Sequence, residues 1–320
     1  MTEGRPSPET LAVLERLAEE LPPIEAVAAL ADHYDQVTLT ALKQAEDALG
    51  PPPVPYAWLT LGSHARREPS LASDQDNALV LAEATPPALD YGRRLAAVVV
   101  EALDTAGLRR CDGDYMATTW CHSLDDWEEK LRRRFIDPTP TDIVDADVFL
   151  DLRPLTGELD VSRLQDTMLG AAGSARLLHG LAKAAVQFPS GLAPLGRLKV
   201  TKGAVDLKKG GLAPLTMLAR TYGLAAGSTA VDTRERLAAA EEAGQLSPRA
   251  AGRLGFAHAL LTRLRLTHQL RCARRGDTIT DRVPTSKLRW VDERLLRGAM
   301  ESIREVQQAT ALRFRTDLGS

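Results

Sequence analysis

Hydrophobic positions recur at helical spacing from the start of the chain: Leu11, Leu14, Leu17 and Leu21 follow Ser7-Pro8-Glu9, a cap with proline at the first helical position. A second helical run covers about residues 24–49 and stops at Gly50 and Pro51-Pro52-Pro53. The period then changes. Residues 56–61 and 77–81 are short apolar runs bounded by breakers, and both read as buried strands. Pro86-Pro87 opens an amphipathic helix that runs to about Ala106 and is ended by Gly107. After a loop-like stretch over 109–119, Ser123-Leu124-Asp125-Asp126 caps a charged helix to about Phe135, which Asp137-Pro138-Thr139-Pro140 breaks. Residues 147–153 alternate polar and apolar before Pro154, which predicts a strand with Asp147, Phe149, Asp151 and Arg153 on one face. From about Asp160 onward the patterns are helical, interrupted by a turn-rich segment over 189–211, and Gly276 and Pro284 separate the last two helices. The expected organisation is therefore α/β in the sense of α+β: N-terminal helices over 1–50, a small mixed sheet with flanking helices over 51–158, and an all-helical domain over 159–320.

Composition narrows the function classes. With 44% hydrophobic and 26% charged residues the chain has the balance of a soluble globular protein, and 4% aromatic residues among many Ala, Leu and Arg favour helices over an all-β architecture. A formal net charge of -3 gives no electrostatic footprint for a nucleic-acid partner. No apolar run reaches the roughly 20 residues that span a bilayer, so a membrane protein is not expected. Cys111, Cys121 and Cys272 cannot form a disulfide framework and no secretory leader pattern opens the chain, so a cytoplasmic location is expected. Leftover apolar faces on the N-terminal helices are compatible with a homodimer.

The candidate chemistry lies in residues 59–81, between the two apolar strands. Gly62-Ser63 ends the first strand, and Asp74 and Asp76 stand where the second begins. Residues two apart on a strand share a face, so the two carboxylates converge and repel unless a cation lies between them. A hard divalent ion, Mg²⁺ or Mn²⁺, held by carboxylates together with substrate phosphates is the usual solution. Gly62 lets backbone approach a ligand closely and Ser63 adds a hydroxyl donor, which suits a polyphosphate; Arg66 is the loop cation most suited to touching phosphate. A site for two ions needs a third carboxylate. Asp151 is the candidate, able to orient or deprotonate an attacking hydroxyl, with Asp147 the fallback. Plainer readings stand beside these: acids at a turn are often solvated, Asp151 can pair with Arg153 or cap an edge, and Arg66-Arg67-Glu68 suits a solvated or structural charge cluster. His64 suits a hydrogen-bonding loop histidine, and Cys111, Cys121 and His122 lack the paired spacing of a structural zinc site.

A Gly-Ser turn, an Asp-x-Asp at a strand start and a later lone acid are similar to the DNA polymerase β-like nucleotidyltransferase superfamily. More specifically, Leu61-Gly62-Ser63-His64-Ala65-Arg66-Arg67-Glu68 with Ser73-Asp74-Gln75-Asp76-Asn77-Ala78-Leu79 resembles a family of bacterial nucleotidyltransferases related to the uridylyltransferase of the PII signalling protein. Further matching pieces are 148–154, 206–212 and 263–269, so the resemblance covers about residues 30–315. Relatives often carry CBS and cyclic-nucleotide-binding domains, for which this sequence has no room. The resemblance implies a nucleotidyltransferase-like catalytic domain that moves a nucleoside monophosphate from an NTP, ATP or UTP, to an acceptor hydroxyl, with a signalling protein as one candidate acceptor. It also implies that Lys208, Lys209 and Gly211 close over the nucleotide. The alternative is a regulatory module that binds nucleotide or a partner without turnover.

Overall fold

The computed structural model describes residues 6–136 and 138–316. By internal contacts the chain divides into two compact units, Met1–Arg134 with Val148–Met168, and Phe135–Asp147 with Leu169–Ser320.

The first unit opens with α1 (Pro8–Glu20), whose cap residue Ser7 accepts from Thr10 N–H, and α2 (Pro23–Leu49), which Gly50 ends at a φ of 87°. The three prolines after it lead into β1 (Tyr56–Leu61), a strand buried along its whole length. The turn α3 (Gly62–Ala65), the two-residue β2 (Asp74–Gln75) and β3 (Asn77–Leu81) follow, then α4 (Pro86–Thr105), which packs Leu95, Ala96 and Val99 inward. The two-residue β4 (Arg109–Arg110) pairs with β2 in parallel. Next come β5 (Cys121–Ser123) and α5 (Leu124–Ile136), with Ser123 Oγ accepting from Asp126 N–H at 3.2 Å. Asp137, part of the expected break after this helix, lies outside the described residues.

The next segment departs from expectation. Residues 147–153 are not one strand: α6 (Pro140–Phe149) takes the first part, and the strand β6 (Leu152–Gly157) begins only after Asp151. The alternation of residues 147–153 is outcompeted by a start signal upstream. Thr139 and Asp142 cap each other reciprocally, with Thr139 N–H donating to Asp142 Oδ2 at 3.0 Å and Asp142 N–H donating to Thr139 Oγ1 at 3.3 Å, which commits the chain to helix. Asp147 and Asp151 thus do not share a strand face. β6 also runs through Pro154, which is tolerated because β6 is an edge strand.

The main sheet has the order β5-β3-β1-β6 among the described residues. β1 pairs antiparallel with both β3 (Thr60↔Asn77) and β6 (Leu61↔Leu152), and β3 pairs in parallel with β5. This order brings three chain segments, at Gly62, Asp76 and Asp151, together at one end of the strands. Under the sheet, Trp127 and Phe149 are fully buried and their rings meet edge to face at 5.4 Å.

Helix α7 (Ser162–Gly170) leads into the second unit, which is built from α8 (Ala175–Gln187), α9 (Ala213–Ala225), α10 (Thr233–Glu242), α11 (Pro248–Arg275) and α12 (Trp290–Arg313). Their apolar stripes form one core that includes Leu215, Leu218, Leu254, Leu261, Leu296 and Ile303. Helix α9 is buried nearly all round, as expected for a helix surrounded by others. One feature here has no helical pattern: β7 (Ala204–Asp206) pairs antiparallel with β8 (Arg282–Pro284). The α6 part of this unit packs on α8 at Gly180, where an added Cβ would lie 2.3 Å from Ile143 Cδ1. Asp147 pairs with the buried Arg220.

Candidate active site

Gly62 is the centre of the site. Its φ of 58° is the left-handed conformation that side chains rarely adopt, and a Cβ there would lie 2.8 Å from Asp76 Oδ2. Its N–H donates to the Asp151 carbonyl at 3.0 Å, while the neighbouring Leu61 N–H donates to the Asp76 carbonyl at 3.0 Å. The end of β1 is thereby clamped between the two acid-bearing segments, with the Asp76 carboxylate against the bare Cα of the glycine.

The run Asp74-Gln75-Asp76-Asn77 splits by period two. Gln75 and Asn77 point inward and are 2% and 3% exposed, whereas Asp74 and Asp76 are half-buried. The inward pair latches the loop. Gln75 Nε2 donates to the carbonyls of Val100 (3.2 Å) and Leu108 (3.0 Å), and Asn77 Oδ1 accepts from Ala117 N–H at 2.8 Å. Two buried amides with satisfied partners fix the face from which the two carboxylates project. Asp74 is paired with Arg109, its parallel partner in β4, at 2.5 Å. Asp76 faces Cys111, whose thiol is pushed up to about 11 by burial and by its hydrogen bond to that carboxylate.

Asp151 is fully buried and ion-paired with Arg66, which also donates from Nε to Glu68 at 3.0 Å. Burial alone would lower the Arg66 pKa, and the charges of Asp151 and Glu68 more than reverse it, so this guanidinium stays charged. Arg67, at a φ of 59°, turns away and pairs with Asp32 on α2 at 2.5 Å. Ser63 Oγ donates to Ser73 Oγ at 3.3 Å. His64 is 6% exposed; burial, helped by the charges of Arg153 and Arg66, lowers its pKa to about 4 against a hydrogen bond to the Asp74 carbonyl, so the ring is neutral. His64 Nε2 and Trp58 Nε1 are buried without hydrogen-bond partners beside a cavity of about 20 Å³ that Asp76 also lines, room for one water.

Asp74 and Asp76 fit a hard divalent cation by the chemistry of their donors, carboxylate oxygens on one face with a side-chain-free approach at Gly62. The structure directs Asp151 to Arg66 instead, and among the described residues no group of three or more His, Cys, Asp or Glu side chains is gathered as a metal-ligand set. Lys208, Lys209 and Gly211 lie in the second unit, in a π-helical turn over Lys208–Leu212. Residues that sequence reasoning passed over are Arg109, Gln75 and Asn77. The two amides had a signal, since polar residues alternating with the acids at a strand entry must point the other way.

Residues 10–141 match the family model described as "Putative nucleotidyltransferase DUF294", and residues 175–314 match the one described as "Putative nucleotidyltransferase substrate binding domain". The chain belongs to this nucleotidyltransferase family. No curated protein matches it. The two descriptions point to nucleotidyl transfer, a transferase chemistry that draws on a nucleoside triphosphate, and no helix among the described residues is long and apolar enough to cross a membrane. Gly62, Ser63, Arg66, Asp74 and Asp76 fall within the first nucleotidyltransferase match, Lys208, Lys209 and Gly211 within the second, and Asp151 between the two.

Proposed function

We propose that the chain transfers a nucleoside monophosphate from ATP or UTP to an acceptor hydroxyl, with release of pyrophosphate. The observation that carries this reading is the convergence at Gly62 of the Asp76 carboxylate and the Asp151 segment, with Asp74 on the same projecting face as Asp76. Asp74 and Asp76 would hold Mg²⁺ or Mn²⁺, in a site for two ions if Asp151 joins them. Such ions supply charge neutralisation and polarisation of phosphoryl oxygens when bound. The chain's own part is positional: Gly62 offers close backbone approach and Ser63 a hydroxyl donor to the β- and γ-phosphates, and Arg66 adds a fixed cation. Asp151 would orient the acceptor hydroxyl and take up its proton, in a direction set by the Arg66 pair.

A second reading, a nucleotide-binding module without turnover, is favoured by one observation: Asp151 is fully buried and bound to Arg66. Calorimetric titration of the four NTPs with and without Mg²⁺, alongside pyrophosphate release, separates them on the wild type and the Asp74→Asn, Asp76→Asn variant. Mg²⁺-dependent binding of one NTP, lost in the variant, is the expected result, with pyrophosphate released once an acceptor hydroxyl is supplied, for which fractionated cell extract is the source. Binding with no release in the presence of the extract selects the module. Absence of any Mg²⁺-dependent NTP binding to the wild type sinks both.

A further inference from the structure

The second unit holds a cavity of about 170 Å³. Ser190, Lys199, Thr201, Asp206, Lys209 and Arg282 line it. Three of these are cations on exposed side chains, and among the described residues none of the three forms an ion pair with a carboxylate. The lining carboxylate is committed elsewhere: Asp206 Oδ1 accepts from the Lys209 backbone N–H at 2.8 Å. Arg282 stands opposite Asp206 across the β7–β8 pair and donates one N–H to the Thr201 carbonyl at 2.6 Å, which fixes its guanidinium at the rim with its other donors uncommitted.

The cavity floor is bare backbone by necessity. A Cβ on Gly210 would lie 2.9 Å from Gly191 Cα, and one on Gly191 would lie 2.8 Å from the Gly210 carbonyl and 2.5 Å from Met300 Sδ. Only glycine at both positions lets these segments touch, and the π-helical turn at Lys208–Leu212 sets Lys209 beside that contact. The rim is equally fixed: Lys202 and Gly203 have φ of 51° and 73°, and Thr201 N–H donates to the Ala204 carbonyl at 2.9 Å. The volume far exceeds the roughly 10–15 Å³ of one water and falls short of the roughly 300 Å³ where pockets for whole drug-sized ligands begin. Three cations against one carboxylate complement a small dianion, and a phosphomonoester carries about −1.5 to −2 charges at neutral pH.

We propose that this cavity of the second unit binds a terminal phosphoryl group through Lys199, Lys209 and Arg282. The site does not depend on the nucleotidyl-transfer reading, and its source can be inorganic phosphate, a phosphorylated small molecule or the end of a polyphosphate. The test is calorimetric titration of the full chain, free of divalent ions and at low salt, with inorganic phosphate, glycerol 3-phosphate and tripolyphosphate in separate runs to distinguish those sources. The wild type is expected to bind at least one of them, and Lys199→Ala with Arg282→Ala to weaken it at least about tenfold. Lys199→Gln, on an exposed side chain, gives a milder loss that unfolding cannot explain. Removing the same charge outside the cavity, in Arg249→Ala with Arg297→Ala, is expected to change affinity less than about twofold. Failure of all three anions to bind the wild type overturns the proposal. So does an equal loss in the outside variant, or a loss in the Asp74→Asn, Asp76→Asn variant, which would put the anion in the first unit. Phosphate binding with no NTP binding, or the converse, tells failure of one reading from failure of the other.

Discussion

His64 lies in the α3 turn, close to the acids, and the environment strips it of charge rather than enlisting it. Its pKa of about 4, below the ordinary 6.5, means that the unfolded chain binds a proton at this site before the native one does. The associated stability is fully present above about pH 6.5 and is lost as pH falls from there to about 4. The shift corresponds to about 3 kcal/mol. His64→Gln is accordingly expected to lose stability less steeply than the wild type across that window, as read from urea midpoints at stepped pH. The comparison isolates this ring, since His33, His122 and His268 are also lowered, first by burial, and steepen both curves alike. At Gly62 the constraint is steric. Gly62→Ala adds a methyl 2.8 Å from Asp76 Oδ2 on a backbone at a φ of 58°, so the carboxylate must move. A stability loss of about 1–2 kcal/mol is expected, with Mg²⁺-dependent NTP affinity falling further than in a variant of equal stability loss elsewhere.

Strand β1 is the element on which the site depends, because its two neighbours bring the acids to it. Its pairing with β6 shifts register between Trp58 and Leu59, and Gly157 accommodates the close approach: at a φ of 132°, an added Cβ would lie 2.0 Å from the Tyr56 carbonyl. Gly157→Ala is predicted to cost more than about 3 kcal/mol, measured by thermal unfolding, because backbone rather than a flexible side chain is in the way. Elements of this kind were legible to different degrees. β1 and β3 could be read because both are apolar and bracketed by breakers, and the acids at the β3 entry because period two fixes their side. The start of the residue 147–153 segment departs from its alternation for a local reason: alternation is a weak signal beside a reciprocal cap at Thr139 and Asp142, which starts a helix that runs to Phe149. β7 and β8 were invisible because each has three residues and no pattern of its own, and only their pairing defines them. The Arg66–Asp151 pair, Arg109 on Asp74 and the cation-lined cavity were invisible too, because they join residues distant in sequence, which no periodicity records.

At the scale of the whole molecule the chain leaves its first unit at Arg134 and re-enters it at Val148, so the last strand of the main sheet arrives after an excursion. The first family match stops at residue 141, before both Asp151 and β6. A fragment ending there would carry Gly62, Asp74 and Asp76 but would leave the β1 edge unpaired, baring Leu59 and Leu61, which are fully buried in the complete chain. It would also lose the tie from Arg153 to Asp35, 2.9 Å long, which anchors β6 to α2. A fragment of residues 1–168 restores the strand, that ion pair and the Asp151 carbonyl that receives the Gly62 N–H. The expected outcome is a cooperative thermal transition and structured near-ultraviolet dichroism from Trp58, Trp120 and Trp127 for the longer fragment, and aggregation or a broad transition for the shorter one. Equal folding by both would mean that β6 is dispensable to the sheet, and the clamp at Gly62 would then have to be held by β3 alone.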